Sequence, residues 1–186
     1  KEIARDVAYV PQASGLAFTM TVYNFVMLGR YPHMSPFTSI SSEDRAAVDD
    51  ALEQAQITEF RDRTLDTLSG GERQAAFIAA ALAQGGKVLL LDEPTTYLDY
   101  GHQVDVLGLV RKLHREQNLT VVLVTHDVNH AVLVSDHIVA LKEGAIVFDG
   151  TPESLLEPAT LEAIYDTGFS RLDDDSQVLP VVMPTE

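Results

Sequence analysis

The residues best able to do chemistry fall in three short runs: Leu68-Ser69-Gly70-Gly71-Glu72-Arg73-Gln74, Val88-Leu89-Leu90-Leu91-Asp92-Glu93-Pro94 and Val124-Thr125-His126-Asp127. In Leu91-Asp92-Glu93 an apolar run ends in adjacent carboxylates. Neighbours on a strand point to opposite sides, so the two acids can serve different tasks at its C-terminal edge. One suits Mg²⁺, directly or through water, and the other can polarise an attacking water. The plainer alternative is a solvated strand end. Ser69-Gly70-Gly71-Glu72 opens a helix, where two glycines let the backbone come close to a phosphate and the exposed N–H groups favour an anion. Read without a ligand, Ser69 is an N-cap before a core helix. His126 follows a β-branched strand, and a neutral imidazole there can donate to a terminal phosphate oxygen or position water. His126-Asp127-Val128-Asn129-His130 imitates a two-histidine zinc helix, but it has Asp where zinc proteases use Glu and no evident third ligand.

These groups need elements to hold them. Val7 to Val10 reads as a buried strand stopped by Pro11, with Gln12 at its C-terminal edge. Thr21 to Arg30 predicts a short helix with Val22, Phe25, Val26 and Gly29 near one face, and Tyr31 to Pro36 a loop. Ser41 or Ser42 is a good N-cap for a helix reaching about Gln56, with Glu43 and Asp44 in its first turn and Ala47, Val48, Ala51, Leu52 and Ala55 on one face. A close-packing, alanine-rich helix runs from Ser69-Gly70-Gly71 to Ala83. Further on come a strand at Val88 to Leu91, a helix at Gln103 to Gln117, a strand at Thr120 to Thr125 and a helix at Asp127 to Val134. Ile138 to Leu141 and Ala145 to Phe148 read as strands around a Glu143-Gly144 turn. Strands this apolar, alternating with helices, predict a mostly parallel sheet covered on both faces. From Thr151 one or two short helices follow, and after Gly168 an acidic, irregular tail whose Asp173-Asp174-Asp175 reads as a solvated loop.

Composition narrows the function. A net charge of −15 argues against a general grip on nucleic acid phosphates. The absence of cysteine excludes disulfides, thiolate catalysis and Cys-ligated zinc. The longest apolar runs fall far short of the roughly 20 residues a spanning helix requires.

In order and spacing the three runs resemble the nucleotide-binding subunits of ABC transporters. Leu68 to Gln74 matches that family's signature, with Ala75 where many members have Arg, and Asp92 to Asp99 matches its Walker B and D-loop. The resemblance implies an α/β fold, a partial P-loop NTPase core with a mostly parallel sheet and an α-helical signature subdomain. It would place the Q-loop strand at 1–12, the helical subdomain at 13–84, the Walker B, D-loop and H-switch core at 85–150, and C-terminal helices and tail at 151–186. ATP and Mg²⁺ are implied, with Asp92 and Gln12 at the metal, Glu93 as catalytic carboxylate and His126 as H-switch. Ser69, Gly70, Gly71 and Glu72 would close over the γ-phosphate of ATP held by a second, head-to-tail ATPase subunit, and Asp99 would lie at the dimer contact. The implied partners are that subunit and a membrane permease met through Thr21 to Pro36, at the cytoplasmic face of the inner (plasma) membrane, with no nucleic acid. Leu28-Gly29-Arg30-Tyr31-Pro32-His33 resembles a run in the importer branch for iron-siderophores, haem and cobalamin, which Tyr97-Leu98-Asp99 and Val128-Asn129-His130-Ala131 also fit. The competing readings are a soluble ABC ATPase without a transport role and a non-catalytic interaction module.

One part of the pattern is missing. A P-loop needs Gly, four residues, then Gly-Lys-Ser or Gly-Lys-Thr, and the only approach, Gly85-Gly86-Lys87, has Ala81 and Val88 at the first glycine and hydroxyl positions. The expectation is therefore the C-terminal portion of a longer subunit, inactive alone. Its sheet should carry a gap, or take up a new pairing, with exposed apolar surface, where the P-loop strand would lie beyond the His126 strand.

Overall fold

The computed structural model describes residues 2–12, 19–35, 39–172 and 181–185. Part of the predicted Tyr31 to Pro36 loop, namely Pro36, and the Asp173 to Asp175 segment lie outside the described residues. The chain forms two compact units, Lys1–Val124 and Thr125–Glu186.

In the first unit a one-turn helix α1 (Ile3–Asp6) leads into β1 (Val7–Val10). The helices α2 (Val22–Leu28), α3 (Ser42–Gln54) and α4 (Gly70–Ala83) follow, then β2 (Val88–Asp92), α5 (Tyr100–Gln117) and β3 (Thr120–Val124). The three strands form one parallel sheet in the order β1-β2-β3, with Tyr9 opposite Leu90 and Leu90 opposite Val122. Crossover through helices is what parallel pairing demands, and the long helical excursion between β1 and β2 supplies it.

The helices begin where their caps allow. Thr21, Ser41 and Ser69 each accept from the backbone N–H three residues on, and Ser41 and Ser69 complete reciprocal boxes with Asp44 and Glu72. α3 ends at Gln54 rather than Gln56, because Gln56 adopts a left-handed turn at φ 59°. α5 begins at Tyr100 rather than Gln103, because Asp99 caps it through the His102 N–H. α4 packs on α2, α3, α5 and β1, and its alanines Ala76, Ala79, Ala81 and Ala83 are buried. Small side chains on several faces are what permit contact with neighbours all round. Closest of all, any Cβ at Gly29 would lie 2.0 Å from the Ala80 carbonyl oxygen.

One face of the sheet, carrying Ala8, Val10, Leu89 and Leu91, belongs to the main core. The other differs from the two-sided covering the sequence suggested, since Tyr9, Val122 and Val124 are exposed. β3 pairs with β2 alone among the described strands, so of the two expectations the gap, and not a new pairing, is what the described strands show. Gly85-Gly86-Lys87 is the turn into β2, with the Lys87 N–H donating to Asp6 O and Gly85 at φ 73°.

The second unit contains α6 (Val128–Val134), the antiparallel hairpin β4 (Ile138–Lys142) and β5 (Ala145–Gly150), α7 (Pro152–Leu155) and α8 (Pro158–Tyr165). The tail is not irregular throughout: β6 (Phe169–Leu172) pairs antiparallel with β7 (Val181–Pro184). Asn129 holds that ribbon to α6, its amide donating to Val182 O at 3.2 Å and accepting from Val182 N–H at 3.0 Å. A separate small core of Val128, Val132, Leu155, Leu156, Leu161 and Val182 forms around this contact.

Candidate functional site

Parallel register brings the ends of β1 and β2 together, and with them the first cluster. Gln12, just past β1, donates from Nε2 to Glu93 Oε2 at 2.8 Å. Thr96 Oγ1 donates to the same oxygen at 2.9 Å. Glu93 occupies a left-handed backbone conformation at φ 44°, and its N–H donates to Val124 O at 2.9 Å. A non-glycine residue there costs about 1 kcal/mol, so the turn holds the carboxylate off the strand line against strain. Asp92 remains on the strand, where the Tyr9 hydroxyl donates to its Oδ2 at 3.0 Å. The Asp92 carboxylate accepting that proton pushes the Tyr9 phenol above its ordinary range, with lesser contributions from desolvation and charge. The two acids thus have separate partners, as adjacent positions on a strand allow. Sequence reading missed Tyr9 and Thr96; Tyr9 alternates with buried Ala8 and Val10, which was the available signal.

The second cluster lies at the N-terminus of α4. Ser69 Oγ accepts the Glu72 N–H at 3.3 Å, and the Glu72 carboxylate returns a bond to the Ser69 N–H at 2.8 Å. Gly70 is exposed while Gly71 is buried beneath the His102 ring. His102 bridges the cluster to Asp99: Nε2 is 3.3 Å from Ser69 Oγ and Nδ1 is 2.6 Å from Asp99 Oδ2. The Asp99 carboxyl is held below its ordinary range by the His102 backbone N–H and then by the His102 ring. His102 was not foreseen, although its place three residues after an N-capping Asp puts it beside that carboxylate.

His126 lies at the start of the second unit, exposed, just before Asp127, which caps α6 by accepting the His130 N–H at 3.1 Å. The structure therefore groups Gln12, Asp92 and Glu93, and separately Ser69, Gly71, Glu72 and Asp99, while His126 belongs to another unit.

The Leu28 to His33 run acquires a physical account. The Arg30 guanidinium is buried, pairs with Asp44 at 3.0 Å and donates to Ala83 O at 2.8 Å, so one side chain ties the end of α2 to α3 and α4. His33 Nε2 lies 2.8 Å from Gln84 O. Leu28 and Tyr31 between these anchors are exposed.

The ABC transporter family profile matches residues 1–96. The chain is 40% identical to the iron(3+)-hydroxamate import ATP-binding protein FhuC of Bacillus subtilis, over 98% of this chain and 68% of that protein. It is 42% identical to the ferric enterobactin transport ATP-binding protein FepC of Escherichia coli, over 99% of this chain and 68% of that protein. Its fold superimposes on a metal-chelate type ABC transporter solved in an inward-facing conformation, with a TM-score of 0.89 at 30% identity, covering 97% of this chain and 72% of that one.

Proposed function

This chain belongs to the ABC transporter ATP-binding family, and from that footing we propose that it is part of an ATP-binding subunit of an importer of iron-siderophore complexes, closing with a second ATPase subunit that holds the nucleotide and driving a membrane permease. The cargo reading rests on relatives whose names specify ferric hydroxamate and ferric enterobactin. No helix among the described residues is long and apolar enough to cross a membrane, and the reading places the subunit on a permease at the cytoplasmic face.

The observation that carries the mechanism is the hydrogen bond from Gln12 Nε2 to Glu93 Oε2. Glu93 is the general base that takes a proton from the attacking water, and the bonds from Gln12 and Thr96 fix its carboxylate. Asp92 and the carbonyl oxygen of Gln12 would hold Mg²⁺. Oxygen donors of this kind suit a hard cation, and the Gln12 amide nitrogen is already committed to Glu93. When bound, Mg²⁺ neutralises phosphate charge.

Ser69, Gly70, Gly71 and Glu72 form the surface that meets the terminal phosphate of a nucleotide held by the second subunit. Asp99 lies at the dimer contact, and His126 acts with Glu93 as the catalytic H-switch. The helical segment 13–84, through exposed Leu28 and Tyr31, faces the permease. The test is Glu93→Gln in the transporter assembled with its permease. ATP turnover should fall by roughly 10²-fold or more while ATP-bound dimers persist; near-normal turnover would remove Glu93 from this role.

A further inference from the structure

We propose that His102 is a positioning residue for the Ser69 hydroxyl: when neutral it captures the hydroxyl proton, and when protonated it releases that proton to a phosphate oxygen. The proposal rests on the reading of Ser69 as a phosphate contact and adds the group that governs it.

Hydrogen-bond direction is forced by the partners. Asp99 is a carboxylate and can only accept. It accepts twice from one residue, from the His102 backbone N–H at Oδ1 (3.1 Å) and from the ring at Oδ2 (2.6 Å). Nδ1 therefore carries a proton in every charge state of the ring. A neutral imidazole holding its proton on Nδ1 presents a bare lone pair at Nε2, 3.3 Å from Ser69 Oγ. The hydroxyl must then donate to Nε2. Its oxygen also accepts the Glu72 N–H, so nothing remains to offer a phosphate except lone-pair density, which an anion avoids.

Adding one proton to Nε2 reverses the bond. The imidazolium donates to Ser69 Oγ, the hydroxyl hydrogen is free to turn toward a phosphate oxygen, and a positive charge stands behind it. Backbone at Gly71 is shaped for this seat: a Cβ there would lie 2.3 Å from His102 Cδ2. The second glycine of the run is thus required by the imidazole as well as by any phosphate. The ring is about one third exposed, open enough to exchange protons with solvent. The charged groups on the elements around it are Asp99 and Asp105 on the α5 side and Glu72 and Arg73 on α4; Glu72 is engaged with the Ser69 N–H.

A sign follows. If the phosphate-competent form carries the extra proton, phosphate engagement takes up a proton, and turnover at limiting ATP falls as pH rises.

Two measurements test this. In the first, ¹⁵N NMR of this chain follows the ring nitrogens from about pH 5 to about pH 8, the span in which imidazoles change charge. The neutral ring should carry its proton on Nδ1. A neutral ring protonated on Nε2 overturns the proposal. In the second, kcat/KM for ATP is measured against pH in the assembled transporter. Wild type should lose roughly tenfold per pH unit beyond the midpoint that NMR reports, as one proton requires. His102→Gln, whose amide donates to Ser69 at every pH, should flatten the profile, whereas His102→Ala should lower kcat/KM across the range. A His102→Gln profile with the wild-type slope overturns the proposal. Lack of ATP turnover in wild type, together with the expected NMR result, would count against the ATPase reading and leave the hydroxyl switch standing.

Discussion

Gln12 donates to Glu93 across 81 residues of sequence, at 2.8 Å, because β1 and β2 run parallel and in register to the same edge. Removing the donor leaves Glu93 with Thr96 as its other holder of that oxygen. Gln12→Ala should lower kcat in the assembled transporter by about tenfold, roughly the loss of one positioning hydrogen bond, with a smaller change in KM. A change confined to KM would make Gln12 a binding residue only.

Gly29→Ala tests the closest helix contact. A methyl group 2.0 Å from a carbonyl oxygen cannot be accommodated without moving α2 from α4. Such overpacking costs about 1–3 kcal/mol, so the urea midpoint should drop with an unchanged slope. Wild-type stability would show that the helices separate at no cost.

Asp44 sets a pH dependence. Bonds from the Ser41 hydroxyl and backbone, and then from Arg30, hold its carboxyl below the ordinary value of about 4. A carboxyl depressed in the folded state contributes stability above its unfolded pKa, and that contribution is lost as pH falls through the folded one. Melting temperatures of wild type and Asp44→Asn should therefore converge in acid and separate above about pH 5. At neutral pH the variant leaves Arg30 buried without its carboxylate, a loss of about 3–5 kcal/mol. Parallel melting curves at all pH values would refute the assignment.

The buried side-chain nitrogen of Gln74 has no hydrogen-bond partner among the described residues. Gln74→Met keeps the length and removes the unsatisfied donor, and should raise stability by about 1 kcal/mol in chemical denaturation. A destabilised variant would mean that the amide is satisfied in solution.

Nucleotide affinity can be tested on the chain as it stands. With no Gly-x-x-x-x-Gly-Lys-Ser/Thr run in its 186 residues, a fluorescent ATP analogue should bind no tighter than about millimolar. Micromolar, Mg²⁺-dependent binding would require another phosphate cradle.

Local chemistry was legible in the order of residues. Hydroxyls capping helices, apolar runs ending in Asp92-Glu93 and glycines after Ser69 depend on neighbours a few positions away, so the sequence alone determined most of the elements and the family likeness. Its misses arose where a distant or capping partner decides. α5 starts early because Asp99 caps it, and the tail turns into a ribbon because Asn129 pairs with Val182. Only tertiary structure put Tyr9 on Asp92, Arg30 against Asp44 and Ala83, and His102 between Ser69 and Asp99. Those contacts depend on strand register and on helices approaching over glycine and alanine, and neither is a property of any one segment.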